Sequence, residues 1–256
     1  MSTDNESPIA VIDRVAVLLD AFADTERLTL SELARRTGFP RSSTHRMLLQ
    51  LINIQWIRRQ GHTYELGMKM LELGSLVQQH DRVHKAAEPI IHELHCATGL
   101  VVHLAVLDGS DILYLNKVGG RFAMAVPSHV GGRAPAHRTA LGKALLARTG
   151  ADPLSVLPER PVAATPNTIA DPAALRRELA RIREQSIAHD RDESLVGVSC
   201  VAAVIGDNTT TYGALSVCGP TSGMTRTALI APVRMAALAA LRRLLDESPK
   251  RRSLSA

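Results

Sequence analysis

Aromatic side chains are scarce: three Phe, three Tyr and one Trp in 256 residues. Phe22, Phe39, Trp56, Tyr64, Tyr114, Phe122 and Tyr212 are too few and too scattered for the stacking platforms that grip single-stranded nucleic acid. Cysteine is equally sparse. Cys96, Cys200 and Cys218 form no disulfide scaffold, and their odd number suits a reducing compartment, so the cytoplasm is the expected location. The polar, acidic start Met1-Ser2-Thr3-Asp4-Asn5-Glu6 has no basic-then-apolar leader pattern. The most apolar stretch, Leu229 to Leu245, is broken by Arg234, Arg242 and Arg243, which excludes a membrane span there.

Catalytic signatures are missing as well. There is no Gly-x-Ser-x-Gly elbow, no Gly-x-Gly-x-x-Gly, and Gly142-Lys143 lacks the upstream glycine and following hydroxyl of a phosphate loop. His92-Glu93-Leu94-His95-Cys96 misses the i, i+4 histidine pair of a zinc helix, and His80 with His84 has no third ligand nearby, so neither metal nor cofactor is expected.

One absence is local. Between Glu32 and Glu65 there is no acidic residue, while Arg35, Arg36, Arg41, Arg46, Arg58 and Arg59 supply six positive charges. The whole chain has 30 basic and 25 acidic residues, so outside that stretch 24 basic face 25 acidic ones. A solvated face normally mixes signs, and a long one-sided stretch fits a phosphate backbone lying against it.

The residues under that charge have a recognisable order. Ile9, Ile12, Val15, Ala16, Leu19 and Phe22 form a helical stripe. Thr29-Leu30-Ser31-Glu32 is a capping box that opens a helix over Leu30 to Thr37. Gly38 ends it and Pro40 opens the next, Arg41 to about Asn53, with Thr44, Met47, Leu48 and Leu51 inward. Trp56-Ile57-Arg58-Arg59 and Thr63-Tyr64-Glu65-Leu66 flank Gln60-Gly61-His62 as a hairpin. Two short helices with a tight turn and a following hairpin make a winged helix-turn-helix, in which the second helix enters the major groove of double-stranded DNA. Arg41, Ser42, Ser43, His45 and Arg46 project from that helix as base-contacting candidates, and Arg35, Arg36, Arg58 and Arg59 as phosphate contacts.

From Asp81 onward, hairpins alternate with helices. Strand pairs are expected at 100–107 with 112–115 and at 198–205 with 212–217, and helices at 83–97, 140–147, 172–185 and 225–245. This is an α+β pattern, an antiparallel sheet with helices packed on it. Pro153 to Pro172 carries five prolines and reads as a surface loop.

Leu30 to Leu48, followed by Tyr64-Glu65-Leu66-Gly67, resembles the DNA-binding half of the isocitrate-lyase-regulator (IclR) family of bacterial transcription factors. Pro135 to Ala147, Gly197 to Ala203 and Ala214 to Pro220 resemble its second half, in the same order. The resemblance implies a winged helix-turn-helix (1–67), a linker helix (68–81) and a GAF-like effector-binding domain (82–247), and residues 248–256 are expected to form a disordered basic tail. It implies operator DNA and a small organic acid as partners, a homodimer or dimer of dimers, and repression rather than activation. The effector pocket it implies falls on Ala140, Leu141, Asp190, Cys200, Ser216 and Cys218. Carboxylate binders of the family carry serine where this chain has Cys218, which points to an effector less hydrophilic than a two- or three-carbon acid. A rival reading makes the second half an enzyme, with Cys200 as nucleophile and His137 or His189 as its base.

Overall fold

Local rules account for most of the first unit. In the computed structural model, which describes residues 11–150, 152–207 and 209–246, the chain divides into two units between Val77 and Gln78. The first contains α1 (Val11–Asp20), β1 (Leu28–Thr29), α2 (Leu30–Thr37), α3 (Arg41–Asn53), β2 (Ile57–Gln60) and β3 (Thr63–Leu66). The capping box forms as the spacing predicts: the Thr29 hydroxyl accepts from Glu32 N, and the Glu32 carboxylate accepts from Thr29 N. Gly38 takes φ +71°, the left-handed conformation that lets the chain turn from α2 into α3. Pro40 stands at the N-cap, one position before the first helical residue. Thr44, Met47, Leu48 and Leu51 are buried. They pack with Leu18, Phe22, Leu33, Ile57 and Tyr64, beside a sheet in the order β1-β3-β2.

The predicted stripe on α1 needs correction. Ile9 lies outside the described residues, Ile12 and Ala16 are exposed, and Leu18 is the residue fully buried. Phe22 is buried and Val15 and Leu19 pack partly buried against the same core, so the stripe holds at those three positions and fails at Ile12 and Ala16, while Leu18, outside it, is the residue most deeply buried. The division between the units falls within α4 (Met68–His80). None of its residues is buried, and Met68, Leu71, Leu73, Leu76 and Val77 are exposed.

The second unit is a six-stranded antiparallel sheet, β6-β5-β4-β9-β8-β7. Its strands are β4 (Val101–Asp108), β5 (Asp111–Val118), β6 (Arg133–Pro135), β7 (Ala188–Arg191), β8 (Val198–Gly206) and β9 (Thr211–Pro220). α5 (Arg82–Thr98) and α8 (Arg226–Asp246) pack with Val102, Leu104, Val201, Ala203, Ile205, Leu215 and Val217. The opposite face carries Val101, Ala105, Cys200, Ala202, Ala214 and Cys218, with α6 (Ala140–Leu146) and α7 (Pro172–Gln185) over it. Strand alternation thus places large branched side chains under α5 and α8 and mostly small ones under α6 and α7. The small-residue face leaves room for a cavity. Between α6 and α7 lies the proline-rich stretch predicted as a loop. It is tied down at Thr165, which is 9% exposed and whose hydroxyl donates to Asp192 O at 2.6 Å.

Candidate functional site

On the first unit the charged side chains divide into two groups. Arg35, Ser42 and Arg46 are exposed, Ser43 and His45 are partly so, and no hydrogen bond to another residue holds the Arg35 or Arg46 side chain among the described residues. Arg41 is exposed and donates to Ser31 Oγ at 2.7 Å. With His45 and Arg59 it borders a surface groove of about 400 Å³ that also includes Ser31 and His62. Those last two are absent from the DNA-contact candidates drawn from the sequence, although His62, at the hairpin tip, had the position to suggest it.

The other arginines have structural partners. Arg36 donates from Nη1 to Ala21 O and from Nη2 to Thr25 Oγ1, each at 2.9 Å, and so fastens the end of α1. Arg58 pairs with Glu65, which Arg27 also contacts at 3.1 Å. The two guanidinium groups hold the Glu65 carboxyl below its ordinary pKa, the hydrogen bond from Arg58 being the largest cause. Arg59 donates to Gly61 O at 2.9 Å and lies over the Tyr64 ring. Glu65 ends the acid-free stretch in sequence but faces Arg58 across the hairpin register, so part of the positive charge is already neutralised.

On the second unit, register assembles a site. Asp190 pairs with Cys200, Cys200 with Cys218, and Cys218 with Val101, one row across four strands. Two residues along, and therefore on the same face, Ser216 pairs with both His103 and Ala202. Ala140, Leu141, Asp190, Cys200, Ser216 and Cys218 all line one cavity of about 250 Å³, with His103, Tyr114, Ser128 and Arg138. The last four were not anticipated; a histidine inside the apolar run Val101 to Leu107 was the available signal for His103.

Each wall has a local cause. Thr139 caps α6, its hydroxyl accepting from Gly142 N at 2.9 Å. A Cβ on Gly142 would lie 2.2 Å from Ala136 O, so only glycine lets α6 approach the preceding 3-10 turn Ala136–Arg138. Lys143, 0% exposed, donates to both Glu193 carboxylate oxygens at 2.6 and 2.7 Å. That ion pair secures the turn in which Glu193 N, at 2.7 Å, and Ser194 N donate to Asp190 Oδ1. Burial raises Asp190 to about 6, offset in part by the hydrogen bonds from Glu193 and Ser194. Burial raises Tyr114 to about 12, helped by the Asp190 charge, and lowers His103 to about 3, helped by Lys117. His103 Nε2 shares a hydrogen bond with Ser128 Oγ at 2.8 Å, and Lys117 Nζ donates to three carbonyls between Ala123 and Ser128, holding that segment at the cavity.

The cysteines depart from expectation. Cys200 and Cys218, directly opposite on β8 and β9 with Cα atoms 4.3 Å apart, are joined by a disulfide, while Cys96 is free. Their facing positions become visible only once the two strands are in register. The sulfur therefore has no thiol for the nucleophile of the rival reading. His189 pairs with Val201 and so projects to the face opposite Asp190, and His137 Nε2 contacts Val162 O at 3.0 Å. The imidazole beside the pair is that of His103, 3.6 Å from Cys218 Sγ.

Residues 11–61 match the profile of the IclR helix-turn-helix domain, and residues 75–242 that of the bacterial transcriptional regulator IclR C-terminal domain. The chain belongs to the IclR family. It is 34% identical over 202 residues to the HTH-type transcriptional regulator XynR of Escherichia coli, covering 77% of this chain and 80% of that protein. It is 31% identical over 216 residues to the transcriptional repressor IclR of E. coli, covering 81% and 79%. An IclR homologue of Microbacterium hydrocarbonoxydans, solved in complex with 4-hydroxybenzoate, superposes with a TM-score of 0.83 at 26% identity over 93% of this chain and all of that one. Membership makes the chain an IclR-type transcriptional regulator rather than an enzyme, built from a helix-turn-helix domain and a mixed α+β effector domain. No described helix is long and apolar enough to cross a membrane.

Proposed function

We propose that the protein is an effector-controlled repressor that reads operator DNA with α3 and senses a small organic acid in the cavity of its second unit. On this reading residues 1–67 are the reading head, 68–81 the linker and 82–247 the sensor, working in the cytoplasm, where the reducing milieu works against the Cys200–Cys218 bond. Arg41, Ser42, Ser43, His45 and Arg46 contact bases. Arg35 contacts phosphates, joined by Arg36, Arg58 and Arg59 where DNA draws them from their internal partners. The observation that carries the sensor half is that Ala140, Leu141, Asp190, Cys200, Ser216 and Cys218 all border one cavity of about 250 Å³. Support also comes from the 4-hydroxybenzoate complex of a structural relative and from repressors among the sequence relatives.

One reading head spans few base pairs, so specificity calls for a homodimer or dimer of dimers on a two-fold operator with half-sites about 34 Å apart or a multiple. Exposed Val11 and Ile12 on α1, with Leu71 and Val77 on α4, are suited to that association. Effector binding releases DNA by favouring one of two arrangements of the heads, which requires different affinities for the two.

The test is operator selection from random duplex DNA with the full chain, followed by fluorescence anisotropy. Binding is expected to weaken with salt, with a slope of about −0.9 per neutralised phosphate. A panel of two- to seven-carbon carboxylic acids, including 4-hydroxybenzoate, is expected to contain one that both raises the melting temperature and releases the operator. A salt-independent complex, or no acid acting on either readout, overturns the proposal.

A further inference from the structure

Arg138 has a buried Nε with no hydrogen-bond partner among the described residues, and its side chain borders the cavity. No carboxylate forms an ion pair with it among those residues. The nearby acids are engaged elsewhere: Glu193 by Lys143, and one Asp190 oxygen by two backbone N–H groups. The other cavity arginine, Arg133, is paired with Asp108. Arg138 is only partly exposed, and an Nε–H shut off from water without an acceptor is costly, since buried polar groups of folded proteins almost always have partners. The Arg138 backbone is also fixed. Its carbonyl accepts from Ser194 Oγ at 2.7 Å, and the turn carrying it is pressed against Gly142.

We propose that Arg138 is the anchor for an effector carboxylate, and that the cavity takes an organic monocarboxylate with an apolar body up to the size of one aromatic ring. This rests on the sensor reading above and names its ligand class. A carboxylate presents two acceptors that match the guanidinium fork, a geometry that a hydroxyl or amide does not reproduce. Leu141, Leu195, Val198, Ala134 and Pro127 form the apolar walls for the body of the acid. Asp190 borders the same space, so a second carboxylate on the ligand would meet a like charge with no cation left to balance it. The Tyr114 ring, 5.2 Å from that of His103, closes the cavity with aromatic surface suited to a planar ligand.

The experiment is calorimetric titration of the full-length chain with benzoate, its neutral amide benzamide, terephthalate and inorganic sulfate, repeated on Arg138→Gln and Arg138→Lys. Benzoate is expected to bind the unaltered protein at least tenfold more tightly than the other three. Arg138→Gln is expected to erase the preference of benzoate over benzamide, and Arg138→Lys to keep part of it. Without ligand, Arg138→Gln is expected to melt no lower than the parent chain, because it removes a buried N–H donor that has no acceptor. Equal benzoate affinity in Arg138→Gln, sulfate or terephthalate binding as tight as benzoate, or a melting point several degrees lower in Arg138→Gln overturns the anchor assignment while leaving the sensor reading intact. If no carboxylic acid binds or stabilises the unaltered chain, the sensor reading falls and the anchor falls with it.

Discussion

The two units place their polar chemistry on opposite sides of their cores. In the first, Arg35, Arg41 and Arg46 stand outside a small core and keep most of their charge for a partner. In the second, Asp190, Lys143, Glu193, His103 and Ser216 lie under the surface, at 0 to 2% exposure. An outward site depends on the fold only for its scaffold, so its residues can be exchanged with little effect on stability. An inward site is part of the packing, and each of its charges must be matched within the protein or by a ligand. Perturbations of the second unit are therefore predicted to appear in stability, and those of the first in DNA binding.

The largest effect is expected at Lys143. Lys143→Ala leaves Glu193 buried without its counter-charge and is expected to cost about 3–5 kcal/mol in denaturant unfolding of the second unit, whereas Lys143→Ala with Glu193→Ala recovers part of the loss. A loss below about 1 kcal/mol would break the comparison at its strongest point.

The disulfide comes next. Cys200 and Cys218 close a segment of sequence separation 18, for which constraint of the unfolded chain gives about 3 kcal/mol. Dithiothreitol is expected to lower the melting temperature of the parent chain and to leave that of the Cys200→Ala/Cys218→Ala double variant unchanged. A melting curve indifferent to reductant in both would rule out a stabilising bond.

Asp190 supplies a pH signature of similar size. Its carboxyl is raised in the folded state, from 3.8 to about 6, so the stability it contributes is complete below about 4 and is lost as pH rises through 6. The span corresponds to about 3 kcal/mol at 1.36 kcal/mol per pKa unit. His103, lowered by burial, acts in the opposite sense as pH falls below 6.5. The difference between Asp190→Asn and the parent cancels the His103 contribution, and it is expected to grow from pH 4 to 7 in favour of the variant. A pH-independent difference contradicts a buried, readily protonated Asp190.

Smaller and opposite in kind are the changes expected on the first unit. Arg46→Ala is expected to weaken operator binding by about 1–3 kcal/mol with unfolding unchanged. Arg36→Ala is expected to reduce stability by about 1 kcal/mol through its lost hydrogen bonds, with a smaller effect on DNA affinity than Arg46→Ala. If Arg36→Ala weakens DNA binding as much as Arg46→Ala, the division between structural and DNA-facing arginines on this surface fails.

Much of the scaffold was legible because its determinants are local. Thr29 and Glu32 are three residues apart and satisfy each other's backbone, and Gly38 turns the chain within one residue. The α7 bounds, 172–185, follow from an Asp171 cap and a proline in the first turn. β7 was missed because Ala-His-Asp-Arg has no apolar alternation to read; it is a strand because β8 offers it an edge. On α1, Ile12 and Ala16 were misjudged as inward and Leu18 was passed over because several faces of that helix are apolar, and only the position of the core chooses among them.

The sequence by itself determined the winged helix-turn-helix, the alternating strands of the second unit and the family, and through the family resemblance six of the residues that gather at the cavity. Those features follow from spacing within a turn or strand and from motifs in fixed order. Only the tertiary structure decided which charges remain available. Glu65 takes Arg58, Glu193 takes Lys143, and Arg138 is left facing the cavity without an acid. It also decided that Cys200 lies against Cys218, and that His103 rather than His137 or His189 adjoins them. Availability of a charge depends on every group that packing brings within a few ångströms, and such pairings join residues as far apart in sequence as His103 and Cys218.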